Sequence, residues 1–570
     1  MLRIRPPFRV PVTLLVLLAV PSPGLAGGPE AAAPSPDGAP AALSALVEEA
    51  LAVKTPTQSA EEYRAAAESY RGVLDRLGEI DRSELGFDDA VDADLLERHV
   101  RTRLFEIEDL RLHELVPGRY LSLYQTSSLF LRPCAHPAAA FEGAVEELER
   151  LPEVLGNARE TLTRPAREWT EYALGNVYWA KTMLAEGLHE LRCDAHRERL
   201  EALRQAAGSA LEAVEAYERW LREVLLPRSD RPPAWAPEEI DVYQRVHEGL
   251  EDWDTEAVLA LAEEELPRVR ERMEELARRI HPSGDLRTVW ELMKEEAPPW
   301  AGVRDMAARY VEMSADWLET PPGREIVAIP EALDYGVALT PPMARRLLSF
   351  GGASYGPTVA GRLSGYYVIT PPRPDLPPEE RASRLKSYNP YWTHVISYHE
   401  WLGHNVQRAL AEAHVTRPMR AAYRGIYLSQ AWSFYLEALL PEHGYYDDTL
   451  PTQERLKTEM ARLQMRMWRI QRIVTKLRMA RGEMSFDEAV RAYVEEIGME
   501  PGNALLEVQR DSQTPSPPAR EILGERLILE MRDEYRERMG EHYRMEHFHE
   551  ALLSHGELPL PAIRRLIFRE

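Results

Sequence analysis

Residues 210–226 read ALEAVEAYERWLREVLL. Leu211, Val214, Tyr217, Leu221 and Leu225 fall on one stripe, with the acids and arginines on the remaining faces. That is the period of an amphipathic helix burying one side. The same period recurs over 59–80, 93–113, 140–162, 166–190, 254–280, 302–318, 417–440 and 452–481. Extended segments are rarer. Glu325–Ile329 and Leu363–Ile369 (LSGYYVI) cluster branched and aromatic residues between Gly and Pro, which predicts two short strands. Proline-rich joints lie at 227–237, 281–284, 297–300, 370–378 and 515–518, and no internal repeat is present. The expectation is a predominantly all-α protein with a small β element near its middle. At 570 residues the chain exceeds one compact core. It reads as an N-terminal helical region over 41–300 and a C-terminal one over 301–570.

Acids outnumber Lys and Arg by 93 to 69, a formal charge of -24, which excludes a generic nucleic-acid binder. Two cysteines, Cys134 and Cys193, exclude a disulfide framework, a zinc finger and a four-cysteine iron–sulfur site. Residues 1–26 read as a secretory signal. Arg3, Arg5 and Arg9 precede an apolar run from Val10 to Val20, and Gly24-Leu25-Ala26 supplies small residues for cleavage. No cysteine follows that run, so no lipid anchor is expected there. Residues 27–40 are Pro/Ala/Gly-rich and predict a disordered linker. No later segment reaches ~18 apolar residues, so no transmembrane domain remains after signal cleavage. The expected location is periplasmic or extracellular. That compartment permits a Cys134–Cys193 disulfide; two separately buried thiols fit the sequence as well.

The chemistry concentrates in residues 398–407, Tyr-His-Glu-Trp-Leu-Gly-His-Asn-Val-Gln. His399, Glu400 and His404 form H-E-x-x-x-H. Two imidazoles bind Zn²⁺, and the adjacent carboxylate can act as the general base of a hydrolase. The spacing is unusual. On a straight helix, positions i and i+4 lie about 40° apart, but i and i+5 lie about 140° apart. Convergence therefore requires a π-bulge or a bend at Gly403.

The surrounding blocks resemble the bacterial "domain of unknown function 885" family, whose members resemble helical zinc metallopeptidases. Ser397 to Glu400 with Gly403, His404 and Gln407 match its Y-H-E-x-x-P-G-H-H-x-Q block, one residue shorter. Gln430 to Glu437 occupies its E-G-W-A-x-Y-x-E block, and His443 to Asp448 follows. Glu507 to Arg510, Phe548 to Glu550 and Gly556 to Leu560 match near the C-terminus, and Gly361 to Tyr367 match upstream. The resemblance implies an elongated helical bundle with a deep cleft. In it a metal helix (about 391–411) and the 417–440 helix face each other. It implies an exported zinc-dependent peptidase acting on short peptides or another small substrate. His399 and His404 hold the metal, Glu400 is the base, and the third ligand falls on Gln430, where the family has Glu. A neutral amide binds zinc less well than a carboxylate. Glu437, two turns beyond Gln430, is a further ligand candidate; its alternative role is a structural carboxylate bonded inside the helix pair. Asn405, Thr475, Met479 and Glu521 also depart from the family pattern. These changes motivate a second expectation, a catalytically inactive peptide-binding or scaffold protein outside the cytoplasm.

Other candidates are weighed against ordinary packing. Tyr366, Tyr367, Tyr445 and Tyr446 can donate to an oxyanion. Arg362 and Arg510 can hold a substrate carboxylate. His394 is a candidate to support the metal ligands, and His549 to act in catalysis or as a helix cap.

Overall fold

The apolar stripes bury where their periods place them. In a computed structural model, which describes residues 38–346, 348, 350–359 and 361–569, Val214, Tyr217, Leu221 and Leu225 have no solvent exposure. Leu211 packs at the margin of the same core. The helix Arg197–Trp220 ends in a π-helical turn, Leu221–Leu225. The signal segment and most of the expected linker, residues 1–37, lie outside the described residues. The first helix begins at Ala39, inside the last two residues of the expected linker.

The other stripes form the helices Ala60–Glu79, Phe87–Leu104, Ala138–Thr161, Arg167–Thr182, Thr255–Ile280, Trp300–Leu318 and Thr452–Ala480. Their starts follow local chemistry. The Ser59 hydroxyl and the Glu62 carboxylate close a reciprocal capping box, and the Asp254 carboxylate accepts from the Ala257 N–H.

Two elements differ from the sequence reading. The 417–440 stripe is broken into Pro418–Ala422 and Tyr427–Glu442. At the break the Gly425 N–H donates to the Glu557 carbonyl at 2.6 Å, and Tyr423 donates its hydroxyl to the His247 carbonyl at 2.5 Å. A tertiary partner thus takes the Gly425 N–H, while Tyr423 keeps its helical bond to Met419 and is anchored through its hydroxyl. Glu325–Ile329 is not a strand. Ile326 and Val327 are buried, but the Ile326 N–H closes a turn to Gly323 and its carbonyl accepts from His549 Nδ1 at 2.7 Å. The apolar run is a core plug whose backbone bonds to a turn and a side chain.

The sheet has three strands, β1 (Leu333–Leu339), β2 (Gly351–Val359) and β3 (Arg362–Ile369), in the order β1-β3-β2. β1 runs parallel to β3 with Leu333 opposite Leu363. β2 runs antiparallel with Gly351 opposite Ile369. β3 is the strand expected from LSGYYVI.

The buried apolar residues separate into two cores. The smaller is built from residues between Tyr120 and Leu225, with Met343. The larger joins helices from both ends of the chain, from Leu43 to Leu566, so residue 300 does not divide the packing. Cys134 and Cys193 are bridged, with Cα atoms 5.2 Å apart, and Cys193 belongs to the smaller core. No helix among the described residues is long and apolar enough to cross a membrane.

Candidate metal centre

The helix Pro390–Tyr398 starts on an Asn389 side-chain cap and runs directly into a π-helical segment, His399–Val406, before resuming as Gln407–His414. A π turn takes more residues per revolution than an α turn, so it swings positions five apart toward one another. The His399 and His404 ring centroids are 5.2 Å apart. Ligand atoms of His399, Glu400 and His404 all lie within 4.8 Å of one another. The three residues are 3%, 8% and 7% exposed, so the cluster is nearly closed to bulk water.

Two glycines let other elements press onto this segment. A Cβ on Gly403 would lie 2.6 Å from the Ser433 Cβ and 2.8 Å from its Cα, so only hydrogen fits between the π segment and the helix Tyr427–Glu442. The two helices therefore touch, where the resemblance implies that they face each other across a cleft. On the opposite side, a Cβ on Gly365 of β3 would lie 2.7 Å from the Asn405 Cβ.

Both imidazoles are held from their Nδ1 side. Glu437 Oε1 lies 2.7 Å from His399 Nδ1. A carboxylate accepts, so Nδ1 donates and the ring lone pair is left on Nε2. The Ser429 hydroxyl lies 2.8 Å from His404 Nδ1, and His404 Nε2 is 3.8 Å from Glu400 Oε2. Burial pushes His404 well below the ordinary histidine range, which keeps it neutral. Burial pushes the Glu400 carboxyl up, against the opposing charges of His399 and Arg469, and the Ala353 N–H donates to it.

Behind this layer sits a row of buried charges on the helix Thr452–Ala480. Arg469 Nη2 lies 3.6 Å from Glu437 Oε1. Arg472 pairs with Glu521 and with Glu507, and Lys476 lies 3.8 Å from Asp511. Burial alone would raise the Glu521 carboxyl, but Arg472, Arg520 and Arg469 hold it at about 2.

The remaining sequence candidates divide. Tyr367 is fully buried, and burial raises its hydroxyl pKa, with the Tyr388 and Glu400 charges adding to the effect. Tyr366, its neighbour in β3, sits among Arg132, Ser364 and Asp334. Arg362 is paired with Asp334 at 2.8 Å. The Tyr445 hydroxyl meets His394 Nε2 at 2.8 Å, and the His394 ring stacks on Tyr310. Tyr446 bonds Tyr398, whose hydroxyl also donates to the Glu437 carbonyl. His549 is clamped between the Ile326 carbonyl and the Tyr435 hydroxyl. These last three belong to packed hydrogen-bond chains outside the imidazole pair. Glu437 is the carboxylate bonded inside the helix pair. Gln430 and Arg510 lie on the wall of a cavity of about 850 Å³, between the N-terminal helices and the site.

Sequence reasoning missed Ser429, Ala353 and Arg469. The first two carry no recognisable signal. Arg469, Arg472 and Lys476 share a helical face, a pattern that ordinarily marks a solvated surface.

A family model described as "Bacterial protein of unknown function (DUF885)" matches residues 47–567. The chain belongs to this family. Two solved structures share the fold. One, described as a "putative lipoprotein of unknown function" from Shewanella oneidensis, is 16% identical with a TM-score of 0.67; the match covers 92% of this chain and 97% of that one. The other, a "putative lipoprotein" from Colwellia psychrerythraea, is 15% identical with a TM-score of 0.71, covering 93% and 99%. At such identities the likeness speaks for the family's fold alone. No curated protein matches the chain.

Proposed function

We propose that this protein is an exported zinc-dependent hydrolase that cuts short peptides. The observation that carries the reading is the convergence of three donor groups within 4.8 Å on one π-helical segment. The donor set suits a zinc ion: two imidazoles with Nδ1 engaged and Nε2 unclaimed, beside a carboxylate. His399 and His404 would hold the ion, with Gln430 at the third position of the family pattern. When bound, zinc acts as a Lewis acid on the scissile carbonyl. Glu400 takes a proton from the attacking water and returns it to the leaving amine, a role that its burial favours. Glu437 and Ser429 keep the two rings in one orientation and exclude rotamers that would separate them. Export is supported by residues 1–26, by the Cys134–Cys193 bridge and by the lipoprotein description of the two similar structures.

One observation favours a second reading, a metal-free peptide binder. Arg469 places a buried guanidinium 3.6 Å from Glu437, and its charge acts on Glu400 and His404. A fixed cation there opposes a second one. Metal content separates the readings. Protein equilibrated with one equivalent of zinc should retain nearly one ion per chain, and His399→Ala and His404→Ala should each lose it. Glu437→Gln should weaken zinc binding by roughly 10–100-fold. Glu400→Gln should keep the metal and lose hydrolysis of a randomised peptide pool. Zinc-free wild type, or undiminished turnover in Glu400→Gln, would sink the hydrolase.

A further inference from the structure

The cavity beside the site is chemically lopsided. Its volume, about 850 Å³, is of ligand size (pockets run roughly 300–1,000 Å³). One wall comes from the N-terminal helices and their loops, with Tyr63, Glu106 and Arg119. The other comes from the site region, with Gln430, Arg510 and Arg520. Gln430 directly follows Ser429, whose hydroxyl holds His404, so the cavity wall and the imidazole pair share one helix turn.

The two acids in the lining are already neutralised. Glu106 takes Arg103 at 2.6 Å and the Tyr243 hydroxyl at 3.0 Å, and Asp511 faces Lys476 at 3.8 Å. The arginines are not balanced in the same way. Arg510 is engaged by Glu507 at 2.8 Å. The Arg119 side chain has no hydrogen bond or ion pair of its own among the described residues; its charge adds to that of Arg103 on Glu106. Arg520 makes one ion pair among the described residues, with Glu521 at 3.6 Å, and that carboxylate is shared with Arg472; the Arg520 charge also reaches Asp511, which Lys476 already faces, and Arg520 Nε is buried with no hydrogen-bond partner. A chain of net charge -24 thus encloses a cavity whose surplus charge is positive.

We infer that this cavity binds the carboxylate of a peptide through Arg119 and Arg520. Guanidinium groups pair with carboxylates through two parallel hydrogen bonds, and their strength rises as water is excluded. This assigns substrate recognition to residues other than Arg362 and Arg510. Arg362 is paired with Asp334 at the start of β3, and Arg510 is tied to Glu507. The carboxylate can be a free C-terminus or an Asp/Glu side chain. The inference rests on the peptide-hydrolase reading.

The test uses the full-length Glu400→Gln protein, so that bound peptides stay intact. Three randomised tetrapeptide pools are offered: free C-termini, amidated C-termini, and amidated C-termini lacking Asp and Glu. Peptides retained on ultrafiltration are identified by mass spectrometry. Preferential retention of the free-acid pool by about tenfold or more over both amidated pools supports a C-terminal carboxylate. Retention of the amidated pool confined to Asp- and Glu-containing members supports a side-chain carboxylate. Arg119→Gln and Arg520→Gln should each abolish the preference. Arg119 is exposed, and thermal unfolding checks that Arg119→Gln and Arg520→Gln both fold. Equal retention of all pools, no retention of any, or a preference that survives both substitutions overturns the inference. Because no turnover is needed, lack of hydrolysis by wild type would sink the hydrolase and leave this result standing. Lack of carboxylate-dependent retention would do the reverse.

Discussion

Two of the four π-helical segments among the described residues sit in very different settings. The π turn Leu221–Leu225, in the smaller core, buries only Leu221 and Leu225 and leaves the rest to solvent. The π segment His399–Val406, in the larger core, buries all eight of its residues. Around the first, the core between Tyr120 and Leu225 leaves just Arg159 Nε and His196 Nδ1 buried without a hydrogen-bond partner among the described residues. Around the second, both side-chain amide atoms of Asn405 and of Gln407, and Glu437 Oε2, lack one. A wide turn alone costs little where it only re-aims an apolar stripe. Kept in a fully buried, polar setting it needs close support from neighbouring elements, and local rules tend to be broken in this way at sites that act on something.

The largest expected separation between the two regions is with acid. His394 and His549, both in the larger core, are held by burial at about 3, against 6.5 in an open chain. Between those values the unfolded chain takes up protons that the folded chain does not. Stability is therefore full above pH 6.5 and falls as pH drops, by about 3 kcal/mol per histidine at pH 4. Hydrogen exchange should show the larger core opening first; a flat stability from pH 7 to pH 4 would contradict the burial argument. Next is the disulfide. Its cysteines are 59 residues apart, and reduction should cost roughly 4 kcal/mol. The loss should fall on the smaller core, while the spacing of His399 and His404, read by metal binding, persists. Smaller again, Gly403→Ala should cost about 3 kcal/mol and metal affinity, because the new methyl meets the Ser433 backbone. Its counterpart in the π turn Leu221–Leu225, exposed Glu223→Ala, should stay within about 0.5 kcal/mol in denaturant unfolding. Equal effects at the two positions would erase the distinction between them.

Much of the fold was legible because a buried stripe needs only its own period. Val214, Tyr217, Leu221 and Leu225 announce their burial without reference to anything distant. β3 was legible from residue type alone. β1 and β2 were not, since LDYGVAL and GGASYGPTV alternate weakly and are mostly half-buried; they are strands because β3 supplies the pairing. Glu325–Ile329 failed for the converse reason: its residues favour a strand, but no sheet edge reaches them. In the site, the five-residue spacing itself called for a π-bulge, and one is present. Ser429, which supports His404, carries no local pattern, and Arg469, behind the Glu437 that supports His399, lies on a basic face that reads as solvated surface.

The sequence by itself determined which residues are candidates for chemistry and which faces are apolar, because both follow from side-chain type and helical period. Tertiary structure alone decided what those residues meet. Gly403 against Ser433 sets how closely two helices approach, and Glu437 against His399 sets which ring nitrogen is left open. It also decided that Arg119 and Arg520, about 400 positions apart in the chain, line one cavity. Such contacts depend on the packing of several elements at once, and no single segment encodes them.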